Sequence, residues 1–182
     1  MADTTKVTAT KPKVGGAVFR AVAGTTLPTD ATTALANTFK SLGYCSEDGV
    51  VNAPTIDNEQ VRAWGGDVVL DMQTGKTDEF RFTLLEALND EVLKAVYGSA
   101  NVTGTLSAGL TIKANSAEQE VAVWVIEMLM KGSAVKRVVI PHGKITAIEE
   151  ITYSGSTAVG YGVTISATPD TTGNTHYEYI KG

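Results

Sequence analysis

A single cysteine, Cys45, rules out an intramolecular disulfide and any metal centre built from several thiolates. Only two histidines are present, His142 and His176, and neither has a partner at metal-ligand spacing, so no metal site is expected. Charge is sparse as well: Asp, Glu, Lys and Arg together make up 19% of the chain. A surface that short of charge must be covered by hydroxyls and glycine or by another subunit. Cations are the scarcer sign, 15 against 20 acids, and the net charge of −5 argues against broad affinity for a phosphate backbone. No apolar run approaches membrane-spanning length, and the opening MADTTKVTATKPK has no apolar h-region. The expectation is a protein made in a reducing cytoplasm, outside the usual secretory route and not inserted in a membrane.

Catalytic signals are equally thin. Thr74-Gly75-Lys76-Thr77 mimics the end of a phosphate-binding loop, but the required first glycine is Leu70, and the segment does not lead into a helix. Gly160-Tyr161-Gly162 lacks dinucleotide-fingerprint spacing. Glu149 and Glu150 are neighbours on an extended segment and point to opposite faces, so they cannot share a substrate. Asn101-Val102-Thr103 matches a glycosylation sequon, but a chain without a signal peptide does not meet the glycosylation machinery. Cys45 has no histidine nearby in sequence and reads as a small buried side chain. The expectation is a protein that is not an enzyme and uses no cofactor.

What is present is β-structure. Eighteen glycines and threonine in nearly every segment favour strands and turns. The most legible stretch is GDVVLDMQTGKTDEFRFTLLEALNDEVLKAVYG, residues 66–98. Val68, Leu70 and Met72 alternate with polar neighbours, as do Phe80, Phe82 and Leu84, the period of a half-buried strand. A hairpin closed at Gly75-Lys76-Thr77, with 72 opposite 80 and 68 opposite 84, would join both apolar sets and bring Asp71 opposite Arg81. Asn89 then reads as a helix N-cap, Asp90 and Glu91 as first-turn acids, and Gly98 as the stop. Val92, Leu93, Val96 and Tyr97 give that helix one apolar stripe.

Around this unit the chain divides as follows. Residues 1–13 are a polar arm, either disordered or ordered on a neighbouring subunit. A single domain is expected over 14–182. Its first strand lies in 15–22, an irregular or helical connection in 25–41, extended chain at 42–45 and a turn at Glu47-Asp48-Gly49. Residues 50–65 carry Pro54, which argues against a central strand, yet Val50, Val51, Ile56, Val61 and Trp64 are too apolar for a casual loop. They read either as a ribbon packed on its own core or as a loop reaching a second subunit. A linker is expected at 101–110 and a short strand at 111–113. Residues 120–130 are apolar on both faces and read as a strand covered on both sides. A return strand at 135–140 ends at Pro141, and the last hairpin, 144–153 with 159–168, has 153 opposite 159. Residues 174–182 form a C-terminal segment, with 176–180 as an edge strand or arm. The fold class is therefore mostly β with one short helix, and with extended loop and terminal arms.

With these residues in view the sequence resembles the major tail tube proteins of long-tailed, non-contractile (siphophage-type) bacteriophages. The resemblance rests on Leu42-Gly43-Tyr44 with Ser46-Glu47-Asp48-Gly49, and on Phe80-Arg81-Phe82-Thr83-Leu84-Leu85-Glu86 running into Asn89 to Gly98. Val138-Val139-Ile140-Pro141 with Gly143, Ile151-Thr152-Tyr153 and Gly160-Tyr161 complete it. It implies a fold of two packed antiparallel sheets, a sandwich or partial barrel, flanked by the helix, and a structural virion protein, made in the host bacterium, whose six copies form a ring. Stacked rings would make a hollow tail tube through which double-stranded DNA passes without specific binding. It also implies tape measure, tail terminator and distal tail proteins as partners. Within that picture the polar positions Asp67, Asp71, Gln73 and Glu79 are candidates for the lumen, with an ordinary solvated or inter-sheet face as the competing reading. Lys6, Lys11, Lys13, Ile56, Val61 and Trp64 are candidates for contacts between rings. A tube protein of a tail-like bacteriocin or gene-transfer agent, and a monomeric β-sandwich binding module, are the alternatives.

Overall fold

The computed structural model describes residues 2–13 and 15–182. In chain order the strands are β1 (Thr10–Pro12), β2 (Val18–Val22), β3 (Lys40–Ser41), β4 (Val51–Arg62) and β5 (Val68–Leu84). A helix, α1 (Asp90–Tyr97), precedes β6 (Val102–Thr105), β7 (Gly109–Ile112), β8 (Val121–Met130), β9 (Val135–Ile148), β10 (Tyr161–Thr168) and β11 (Tyr177–Lys181). The fold is mostly β, antiparallel throughout, with one short helix, as the alternation and capping signals predict. The two sheets are unequal. Nine strands join in the order β3-β2-β8-β9-β10-β5-β4, with β1 on β8 and β11 on β9, while β6 and β7 pair alone.

The large sheet curls on itself. β8 and β5 are three strands apart, about 14 Å in a flat sheet, yet the rings of Trp124 and Phe82 lie 6.2 Å apart. The chain after β3 then stitches the two ends together. Leu42 N–H donates to the Val18 carbonyl at 2.9 Å, and two residues later Leu85 N–H donates to Tyr44 and Ser46 N–H to Thr83, both at 2.9 Å. A closed barrel has no exposed edges along the closed part.

Two cores result. Inside the curl, Trp124, Ile126, Ile140, Phe80, Phe82 and Ile165 are buried together with the α1 residues Val92, Leu93 and Val96. Outside it, Val123, Val125 and Val139 are covered by Phe39, with Leu27 and Leu35 packed alongside. β8 is thus covered on both faces, as its unbroken apolar run requires. Helix α1 also follows its local signals: Asn89 Oδ1 accepts from Glu91 N–H at 3.0 Å, and Gly98 N–H donates to Lys94.

Several expectations are corrected. There is no turn at Gly75-Lys76-Thr77; β5 runs straight through it, because Asp57, Ile56 and Thr55 pair with those three residues in an unbroken ladder. The hairpin is β4–β5, turning at Ala63–Asp67, where Gly66 has φ +94°. Asp71 accordingly faces Gln60 and Arg81 faces Val51. Residues 102–105 form a strand with 109–112 where a linker was expected. β9 continues beyond Pro141 to Ile148, since a register shift between Ala122 and Trp124 leaves the proline without a ladder bond to donate. In the β9–β10 pair, Val163 faces Ile148 and, past a bulge, Ile165 faces Ile145, so the expected register of 153 with 159 does not form.

Candidate assembly surface

Strand alternation buries one face only where something lies against it. In β5 this holds from Asp78 onward, where Phe80, Phe82 and Leu84 enter the core. Before that point β5 and its partner β4 leave the barrel as a two-stranded ribbon, solvent-exposed over nearly its whole length. Its large apolar side chains are bare: Ile56, Val61, Val68, Val69, Leu70 and Met72 are all exposed, and Trp64 at the tip is 105% exposed. β4 is the last strand in the sheet order, so its outer edge is unpaired. Pro54 and the charges of Asp57, Glu59 and Arg62 protect that edge. A lone two-stranded ribbon is marginally stable in water and gains stability from a covering partner.

The ribbon gathers most of the candidate residues without placing them on one face. Two β5 residues, Thr74 and Val69, have no partner in β4 and act as bulges. The bulge at Thr74 inverts the alternation. Gln73 and Asp71 face Asn58 and Gln60, on the side that continues to Asp78 and Phe80. Glu79 faces Ala53, on the side of Met72 and Leu70, and pairs with Arg81 at 2.6 Å. Asp71 accepts from Gln60 Nε2 at 3.1 Å, and Asp67 lies in the tip turn beside Trp64.

The inter-ring candidates fall into two groups, one on the ribbon and one on the N-terminal arm. Ile56, Val61 and Trp64 belong to the ribbon itself. Lys11 and Lys13 line a cavity of about 450 Å³ between the N-terminal arm and the chain at 43–50, beside the ribbon's root. Lys13 Nζ also contacts Glu127 at 3.0 Å, and Lys6 sits in a 3-10 turn (Thr4–Lys6) further out. Cys45 lines the same cavity, where burial pushes its thiol up to about 11.

At the root the structure reveals a polar cluster that sequence reasoning missed. Asp78 is fully buried and accepts from Asn52 Nδ2 at 2.7 Å and Thr175 Oγ1 at 2.8 Å, with His176 Nδ1 at 2.5 Å. Burial opposes its charge, but these three partners outweigh burial and hold the carboxyl below its ordinary value. Positions 78 and 176 are 98 apart in sequence, so no local signal could have joined them. The cluster ties ribbon, barrel and C-terminal segment together.

Among the described residues no group of His, Cys, Asp and Glu is placed to hold a metal, and no helix is long and apolar enough to cross a membrane. A curled β body with a bare apolar ribbon carries a surface of the kind that marks protein association. The family model for phage tail tube proteins matches residues 5–182, and the chain belongs to that family. It is a non-enzymatic structural component of the phage tail, and hence of the virion, that assembles with its own kind and with other tail proteins. A search of curated proteins finds no match.

Proposed function

We propose that six copies of this chain close into a ring and that rings stack into the hollow tube of a siphophage-type tail, the conduit for genome ejection. The observation that carries this reading is the ribbon, whose apolar side chains and open edge are unfilled in a single copy. Ribbons packed side by side or onto the next ring bury both. The net charge of −5 supports a wall that repels DNA and lets it slide; a cationic wall would hold phosphates and stall it. Of the lumen candidates Asp67, Asp71, Gln73 and Glu79, the bulge at Thr74 sets Glu79 on one face and Asp71 and Gln73 on the other, so the lumen role falls to the face of Glu79. Tape measure, tail terminator and distal tail proteins are the partners this role requires. Negative-stain microscopy of the concentrated protein tests the reading: hollow tubes or six-fold rings are expected, and a persistent monomer overturns it. Deleting residues 1–13 should leave rings or monomers where the full chain gives long tubes.

A further inference from the structure

The cavity at the ribbon's root is an apolar slot with no occupant among the described residues. Pro12, Tyr44, Cys45, Val50 and Met128 line it, and about 450 Å³ is ample for a large aromatic side chain. Tyr44 is 71% exposed, so the slot already offers one free aromatic face. The chain carries one matching knob. Of the two tryptophans, Trp124 is 1% exposed and Trp64 is 105% exposed, standing at the end of a strand pair. A tryptophan wholly in water at a ribbon tip is the residue type most often found anchoring interfaces in pockets.

Charge agrees with shape. The Asp67 carboxylate, in the same tip turn as Trp64, has no hydrogen-bond or ion-pair partner among the described residues, whereas Arg62 is occupied with Gln60 and Gly66. The cavity carries Lys11 and Lys13 against Glu47, and Lys13 is already paired with Glu127 at 3.0 Å, which leaves Lys11 as the cation that counts. Lys11 has no carboxylate partner among the described residues, so it is available to the Asp67 of an incoming tip.

We infer that Trp64 of one copy docks in the Pro12–Tyr44–Met128 cavity of a second copy, with Asp67 meeting Lys11. The occupant cannot be the chain's own tip. β4 has 12 residues, which at about 3.4 Å per residue puts the tip roughly 40 Å from the root cavity. Knob and slot at opposite ends of one arm make a heterologous contact, and a heterologous contact repeated along an axis generates an open-ended stack. The inference rests on the self-assembly reading above and deepens it by naming the two surfaces that meet.

Two measurements test it. In wild-type assemblies, acrylamide quenching of tryptophan fluorescence should fall to the level of buried Trp124 alone, while the unassembled chain keeps a quenchable component. This readout needs no variant. The second uses Cys45→Ala with Glu47→Cys and Gly65→Cys, which keeps Trp64 and puts one thiol beside the slot and one beside the knob. Oxidation or a short bis-maleimide should give a ladder of covalent multimers, absent when either new thiol is omitted, and Trp64→Ala should raise the critical assembly concentration roughly 30-fold. Tubes that remain fully quenchable, or that assemble with both thiols and give no ladder, overturn the docking and leave the tube reading standing. A wild-type chain that stays monomeric sinks the tube reading and the docking with it.

Discussion

The carboxylate of Glu86 stands where any side chain at position 43 would have to go. A Cβ on Gly43 would lie 1.9 Å from Glu86 Cδ, and Gly43 itself has φ +72°. That carboxylate accepts from Tyr44 N–H at 3.2 Å and from Asn89 Nδ2 at 2.9 Å, so it joins the barrel stitch to the cap of α1. Gly43→Ala therefore meets strain in the backbone and displaces Glu86 from both partners. The expected cost is about 2 kcal/mol, read as a lowered denaturant midpoint with an unchanged slope. An unaltered midpoint would show that the stitch contributes nothing.

Beneath the 25–39 connection, Arg137 is 1% exposed and Glu127 5% exposed. Arg137 Nε donates to Glu127 at 2.9 Å, and its two terminal nitrogens donate to the carbonyls of Asp30 at 2.6 Å and Thr33 at 2.7 Å. One guanidinium thus fastens a long loop over the outer core. Arg137→Ala strands a buried carboxylate with Lys13 as its remaining cation, and leaves two carbonyls without their partner. We expect a loss of about 3–5 kcal/mol, near 10 °C in the melting temperature of the unassembled chain. Arg137→Lys should recover less than half, because an ammonium cannot reproduce the planar fork.

Asp78 makes the ribbon root sensitive to acid. Its folded carboxyl titrates below the ordinary aspartate value of about 3.9. Its contribution is therefore fully present above the unfolded pKa and is lost as pH falls through the lower folded pKa. Protection of Tyr177–Lys181 from hydrogen exchange should owe nothing to Asp78 titration between pH 7 and about 5, then decline below about 4. Asp78→Asn should weaken protection at neutral pH by about 1–3 kcal/mol and remove Asp78's part of the acid response. If the variant loses protection on acidification as the wild type does, another group is responsible.

Legibility in the sequence followed locality. Helix α1 could be placed because its cap, first-turn acids and terminal glycine are adjacent in sequence. β8 could be placed because burial on both faces leaves an unbroken apolar run. The β4–β5 ribbon was misread for the opposite reason. With neither face against the body, β4 shows no alternation, and its exposed apolar residues imitate a core. Gly75-Lys76-Thr77 has the composition of a turn, but the twelve-residue ladder with β4 outweighs that preference. Gly75 beside the bulge at Thr74 read as a turn residue when it marks the bulge, and the hairpin expected there put Asp71 and Glu79 on one face.

That separation yields a test of the lumen assignment. Glu79 lies on the outside of the barrel, paired with Ser166 across β10 and next to Arg81, turned away from the subunit core. Asp71 lies on the ribbon side that continues to the buried Asp78 and Phe80. Asp71 and Glu79 thus lie on opposite sides of the strand pair, and one wall can use only one side, so the two acids cannot play one part. Glu79→Lys, which sets two cations side by side, should leave tube formation intact and slow DNA release from phage carrying it. Asp71→Lys should change the yield of tubes and leave release from assembled particles as in the wild type. Equal effects of both variants on release, measured by dye uptake into ejected DNA at constant particle number, would show that the ribbon does not divide its faces between the lumen and its neighbours.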